Sequence, residues 1–207
     1  MIKLTPAHVI VIKCLIHLAS IAFFIQLVWL TFNNGFGADP VKGIEHFTGK
    51  AALNTLLITL CVTPLVRIFR LGLLVRVRRL LGLYSFTWAF IHLSAYVAFD
   101  LGFDWGLLAS ELTDRPYLLF GAISWVILFC LAVTSLQKIQ RKMGKQWQRL
   151  HNLIYPALVV ALFHYVWSVK SGLIEPGIYF AIGTGLLAYR WKSFKRMYTF
   201  RFKSRAL

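Results

Sequence analysis

RRLLGLYSFTWAFIHLSAY, residues 78 to 96, is an apolar run with an arginine pair at one end and a histidine deep inside it. From 80 to 99 it reaches the ~20 residues that a helix needs to cross hydrocarbon. An ionisable side chain at that depth is costly and marks a functional site by default. Arg78 and His92 are 14 residues apart, ~1400° of helical turn and within about 40° of four whole turns, so they share one helix face. A rise of ~1.5 Å per residue separates them by ~21 Å, which puts one near a membrane surface and the other toward the opposite side.

The rest of the chain has the same character. Its 207 residues are 58% hydrophobic with a mean hydropathy of +0.68, more apolar than one soluble core requires. Apolar stretches recur at 8–32, 50–69, 80–99, 117–136, 150–169 and 175–191, the last being the shortest. The expectation is an all-α integral membrane protein with six transmembrane helices in a bundle, forming a single domain over 1–207. The first stretch follows Lys3 and contains Lys13, but it continues to Phe32 without a small-residue cleavage pattern and reads as a retained span. No internal repeat or low-complexity tract is visible.

A net charge of +16 suggests nucleic acid until the charges are located. All seven acidic residues (Asp39, Glu45, Asp100, Asp104, Glu111, Asp114 and Glu175) fall in the loops expected after spans one, three and five. Lys and Arg collect in the alternate segments 67–79, 138–149 and 190–205, leaving only Lys42, Lys50, Arg115 and Lys170 on the acidic side. By the positive-inside rule the basic segments and both termini are cytoplasmic. The partner implied is a lipid bilayer and not nucleic acid. The tail from Arg190 interleaves Trp191, Phe194 and Tyr198 with cations and suits an anionic leaflet. Cys14, Cys61 and Cys130 are isolated in different spans, so neither a disulfide framework nor a zinc or iron–sulfur site is indicated.

The fifth span, WQRLHNLIYPALVVALFHYVW at 147–167, carries His151 near its start and His164 near its end. Spans three and five run in the same direction, so His92 and His164 come to similar depth, while Arg78 and His151 meet near the cytoplasmic surface. Ideal helix leaves His151 and His164 about 140° apart in azimuth; Pro156 between them is expected to kink the helix and re-aim one of them. Imidazoles facing each other between apolar and aromatic walls suit b-type haem, ligated on both faces with its propionates toward cations. Trp88 and Trp125 are placed to pack on a flat ligand or in the core. Arg78, always charged and a poor metal ligand, suits a propionate salt bridge. Arg79, Lys145 and Arg149 have similar claims on propionates or on a flavin phosphate, against a solvated basic loop. His17 is expected to be buried, with approach to a haem as the less favoured alternative, and His46 to be solvated in a loop. The rival reading is a proton-coupled transporter with the histidines as a relay, which expects carboxylates inside the spans; another is a membrane anchor for a partner protein.

At these residues the chain resembles the ferric-reductase-like membrane family of haem proteins, whose third and fifth helices each carry a pair of haem ligands 13 or 14 residues apart. The R-R-x-L-G-L-Y-x-F-x-x-x-x-x-H-L-x-x-Y pattern from Arg78 to Tyr96 and the W-x-x-L-H-x-L-x-Y pattern from Trp147, closed by His164, resemble its MsrQ-type (YedZ-type) branch. The resemblance implies an electron-transfer subunit of the bacterial inner membrane with haem b, one or two per chain, and FMN. It implies transfer from the quinone pool or a cytoplasmic flavin reductase to a periplasmic molybdopterin enzyme that reduces methionine sulfoxide in oxidised proteins. His92, His151 and His164 match the family's haem-linked histidines. Arg78 stands where a four-histidine member of the wider family, another ferric-reductase-like cytochrome b, has its fourth ligand.

Overall fold

A computed structural model describes residues 4–169 and 172–203, with side chains as far as Arg190. The side chains of Trp191, Phe194 and Tyr198, and the whole of Lys170, lie outside the described residues. In chain order the helices are α1 (Pro6–Phe32), α2 (Pro40–Phe69), α3 (Arg78–Ala95), α4 (Trp105–Asp114), α5 (Pro116–Val133), α6 (Gln137–Met143), α7 (Lys145–His151), α8 (Ile154–Ser168) and α9 (Ile174–Lys203). A 3-10 turn, Gly72–Val77, leads into α3, and a π turn, Tyr96–Asp100, prolongs it. No strand occurs among the described residues.

Among the described residues five segments are long and apolar enough to cross a bilayer: Pro6–Phe32, Pro40–Phe69, Gly72–Asp100, Pro116–Val133 and Lys145–Ser168. The sixth expected span falls in α9, which is not among them. Glu175, Pro176, Gly177, Gly183 and Gly185 dilute its apolar stretch before the basic tail begins.

Proline sets the helix starts. Pro6, Pro40 and Pro116 open α1, α2 and α5 at a position where a missing N–H costs nothing. Asp39 caps α2 by accepting from the Lys42 N–H at 3.1 Å. Helix α2 therefore starts well before the apolar run at 50, and Glu45 and His46, expected in a loop, lie on a helix. The fifth span also differs from expectation. The helix breaks at Asn152 and Leu153, and Pro156 sits in the first turn of α8, where it needs no donor. Gly144, at φ +51°, separates α6 from α7 in a conformation L side chains rarely adopt.

The bundle is two helical hairpins, α2 on α3 and α5 on α8, joined through α3 and α5. Lipid supplies little hydrophobic drive between helices, so close packing and interhelical hydrogen bonds hold them. The fully buried Ser85 donates to the Ala52 carbonyl at 3.1 Å, and Ser124 donates to the carbonyl of fully buried Ala157, also at 3.1 Å. These bonds are equivalent: Ala52 and Ser85 become Ser124 and Ala157 after a constant offset of 72 residues, with serine and alanine exchanged. Leu53, Leu56 and Leu60 of α2 meet Leu128 of α5 and Leu158 and Leu162 of α8 in the shared core. Helix α1 is peripheral. Val9 packs with Val62, Val77 and Leu81, while Ile10, Leu15, Leu18 and Ile25 are exposed, as lipid contact requires.

The charges sort to opposite ends. Glu45, Asp100, Glu111 and Glu175 mark an acidic end; the starts of α3 and α8 and the ends of α2 and α5 form a basic end. There Pro64, inside α2, cannot bond the Leu60 carbonyl. Arg190 of α9, 6% exposed, donates Nη2–H to that carbonyl at 3.1 Å and Nη1–H to the Tyr155 hydroxyl. The basic end of α9 is thus fastened to α2 and α8.

Closer to the middle of α9, a Cβ on Gly183 would meet the buried Leu162 Cδ1 at 2.5 Å, whereas one on Gly185 would meet nothing within 4 Å. Gly183→Val is expected to destabilise the protein by about 1–3 kcal/mol through overpacking, and Gly185→Val to change stability by no more than about 0.5 kcal/mol. Thermal denaturation of the two variants in one detergent checks this.

Candidate functional site

His92 and His164 come from different hairpins and face each other at the acidic-end half of the bundle. Their ring centres are 6.2 Å apart with planes at 71°. Each ring is held by the same device. His92 Nδ1–H donates to the Glu45 carbonyl at 3.0 Å, with the Thr48 hydroxyl oxygen at 3.3 Å as a second acceptor. His164 Nδ1–H donates to the Tyr117 carbonyl at 2.7 Å. A proton on Nδ1 leaves the Nε2 lone pair free, the usual second-shell arrangement of a metal-bound histidine.

A glycine makes each bond possible. Helical side chains tilt toward the N-terminus and cover the carbonyl one turn back. The accepting carbonyls belong to Glu45 and Tyr117, and the residues one turn on are Gly49 and Gly121. A Cβ at Gly49 would lie 3.2 Å from His92 Cε1, and one at Gly121 would lie 2.9 Å from His164 Cε1 and Nδ1. Glu45, Gly49 and His92 map onto Tyr117, Gly121 and His164 by the same 72-residue offset that relates the serine bonds.

Both histidines line a cavity of ≈ 550 Å³, within the ~300–1,000 Å³ typical of small-molecule sites. Its inner wall is apolar, with Leu53, Leu56, Ala89, Leu128 and Ala161; its outer wall carries Lys42, Glu45, His46, Lys50, Asp100, Arg115 and Tyr117. Three of the four cations that break the charge sorting therefore gather here. Lys50 pairs with Glu175 at 3.1 Å and Arg115 with Glu111 at 2.9 Å. Around the cavity, Trp125 Nε1, the Tyr96 hydroxyl and Glu45 Oε1 are buried with no hydrogen-bond partner, the condition of polar atoms awaiting a ligand.

These residues fit haem better than a bare metal ion. Among the described residues no three His, Cys, Asp or Glu side chains converge on a point, and zinc takes four donors. A porphyrin would supply four nitrogens of its own and leave at most two positions for protein ligands, which His92 and His164 could fill. Two metal–imidazole bonds of about 2 Å, plus the half-rings beyond them, put paired ring centres about 6 Å apart, as found here.

The basic end is built differently. The Thr134 hydroxyl spends its proton on the Cys130 carbonyl at 2.6 Å, so toward His151 Nε2, at 3.1 Å, it accepts. His151 thus carries its proton on Nε2, the opposite tautomer to the outer pair. Its ring stacks on Trp147 at 3.9 Å, and the indole N–H donates to the Thr134 carbonyl. Arg78 is half-buried and within electrostatic reach of His151, and neither lines the cavity. Arg79, Lys145 and Arg149 are exposed at the basic end and do not line it either. His17 is exposed, with Nδ1 against the Tyr84 hydroxyl, so its expected burial is corrected. His46, expected in solvent, is half-buried in the cavity wall. Trp88 is a core residue, 3% exposed, whereas Trp125 lines the cavity.

Sequence reading missed Gly49, Gly121 and the two accepting carbonyls. Each glycine stands 43 residues before its histidine, a spacing that carries the signal only once both histidines are paired. Gly121→Ala, at 2.9 Å, is expected to weaken haem binding by about tenfold or more, as loss of a ligand's orienting contact does, and Gly49→Ala to weaken it less. Titration of the apoprotein with haemin, followed in the Soret band, checks the order.

The family model described as "Ferric reductase like transmembrane component" matches residues 48–162, which contain His92 and His151 and end two residues before His164. No solved structure matches the chain significantly.

Proposed function

The chain belongs to the ferric reductase-like transmembrane family, multi-pass membrane proteins with a cytochrome b type of electron-transfer role, and from that premise we propose that it is a haem b electron-transfer subunit whose axial ligands are His92 and His164. The observation that carries this reading is the 6.2 Å separation of two imidazoles, each with Nδ1–H bonded to a backbone carbonyl. When bound, haem supplies a one-electron iron couple whose potential the surrounding burial and charge adjust. The chain's own work is to fix both rings, to exclude water with the inner leucines, and to offer polar partners at the outer mouth. There Lys50, Arg115 and the Tyr96 hydroxyl would take the propionate edge, in place of Arg79, Lys145 and Arg149. His151, with Nε2 committed to Thr134, is not an axial ligand in this reading, and one haem per chain follows.

The finer reading is a six-span inner-membrane subunit with both termini cytoplasmic, taking electrons from the quinone pool or a cytoplasmic flavin reductase. It passes them at the acidic end to a periplasmic molybdopterin methionine sulfoxide reductase that repairs oxidised proteins. Sequence resemblance to the MsrQ-type branch and the charge sorting support it, and FMN stands on the resemblance alone. An acidic outer face at the mouth of the haem cavity suits docking of a partner there.

The purified protein is expected to show reducible b-type haem bands at one haem per chain. His92→Ala and His164→Ala should lose them, and His151→Ala should keep them. A colourless wild type, or bands that survive either of the first two substitutions, would sink the assignment.

A further inference from the structure

The basic end holds a second arrangement of charge that the haem reading leaves unused. Arg78 at the start of α3 lies within electrostatic reach of Arg190 and Tyr155, and Arg190 also lies over the Tyr155 ring at 5.1 Å. Val77, the residue before Arg78, packs on Val62 of α2, two residues from the Leu60 carbonyl that Arg190 bonds, and guanidinium does not deprotonate in proteins, so two like charges stand beside the same stretch of α2. Every Asp and Glu side chain belongs to the acidic end or the segments beside it, and both ion pairs among the described residues are there. The partners Arg190 does have, the Leu60 carbonyl and the Tyr155 hydroxyl, are neutral. Its Nε and that of Arg78 are buried without a hydrogen-bond partner. On α2, one turn nearer the basic end than Leu60, the Thr63 hydroxyl is buried and unpartnered as well.

Buried charge is costly unless it is paired, and here no described residue supplies an anion. We propose that Arg78 and Arg190 bind a phosphate group, that of an anionic phospholipid headgroup, between α2, α3, α8 and α9. A phosphate offers enough oxygens for two guanidinium forks on different helices to share, where a carboxylate is used up by one. The position favours lipid over a soluble source, because basic pockets between transmembrane helices at a membrane surface take anionic headgroups. The bound headgroup would fasten α9 to the hairpins beside the Leu60 contact.

The test is thermal denaturation of the whole protein in nanodiscs of phosphatidylcholine, with and without phosphatidylglycerol, at low and high salt. Phosphatidylglycerol should raise the melting temperature of the wild type and still do so at high salt, since a buried pair is screened far less than surface charge. Arg78→Gln, which removes no described hydrogen bond, should abolish the rise while keeping the haem bands. Lys138→Gln, an exposed change of the same charge, should retain it. Lipid affinity of Arg78→Gln should fall about tenfold or more, as for a lost charge-assisted bond. If Arg78→Gln fails to fold, Arg190→Lys, which keeps the charge and loses the fork, should show the same fall. A rise given by inorganic phosphate in phosphatidylcholine discs and lost in Arg78→Gln would keep the phosphate site and overturn lipid as its source. Equal responses of wild type and Arg78→Gln to both probes would overturn the site.

Discussion

An imidazole inside a bilayer bundle has two nitrogens to satisfy, and in the facing pair one of them is given to the backbone. His92 and His164 each donate Nδ1–H to a carbonyl 47 residues earlier in the chain. That bond fixes tautomer and ring direction together, and leaves two Nε2 lone pairs on rings 6.2 Å apart. It requires an uncovered helix carbonyl, so it requires Gly49 and Gly121. Those glycines in turn let each histidine helix approach its neighbour closely, which is how helices pack without a hydrophobic drive. Ligand preparation and hairpin packing are the same contact.

The duplication of that contact organises the fold. Carbonyl, glycine, serine–alanine bond and histidine recur 72 residues on, so α5 and α8 repeat α2 and α3 around the cavity. At the basic end the equivalence stops. The position 72 residues before His151 is Arg79, exposed, and the helix that carries His151 breaks immediately after it. The two ends consequently do different things. One holds opposed imidazoles over a cavity, and the other holds the guanidinium groups of Arg78 and Arg190, both withdrawn from solvent, and a histidine whose Nε2–H faces Thr134.

Much of this was legible in the sequence. Depth matching paired His92 with His164, and the charge sorting identified the two ends, because both follow from helix rise and residue type alone. The repeat was not legible: between 45–52 and 117–124 only the glycine is shared, and between 85–93 and 157–165 only the histidine and one alanine, Ala89 and Ala161. What repeats is backbone geometry, and a carbonyl leaves no mark in residue identity. The early start of α2 was hidden because Pro40 reads equally as a turn former and as a first helical residue. Pro156 was expected to kink an interior and instead opens a new helix. Arg190 read as the first cation of a tail, since its burial depends on the carbonyl that Pro64 frees 126 positions earlier.

The central claim is that two neutral imidazoles, both through Nε2, ligate one haem. Electron paramagnetic resonance of the oxidised protein tests it most directly, because the signal reports ligand type and the angle between ligand planes. A single low-spin ferric species is expected, with the strong anisotropy of imidazole planes far from parallel, as their 71° angle requires. A high-spin ferric signal, or two low-spin species in equal amount, would contradict it.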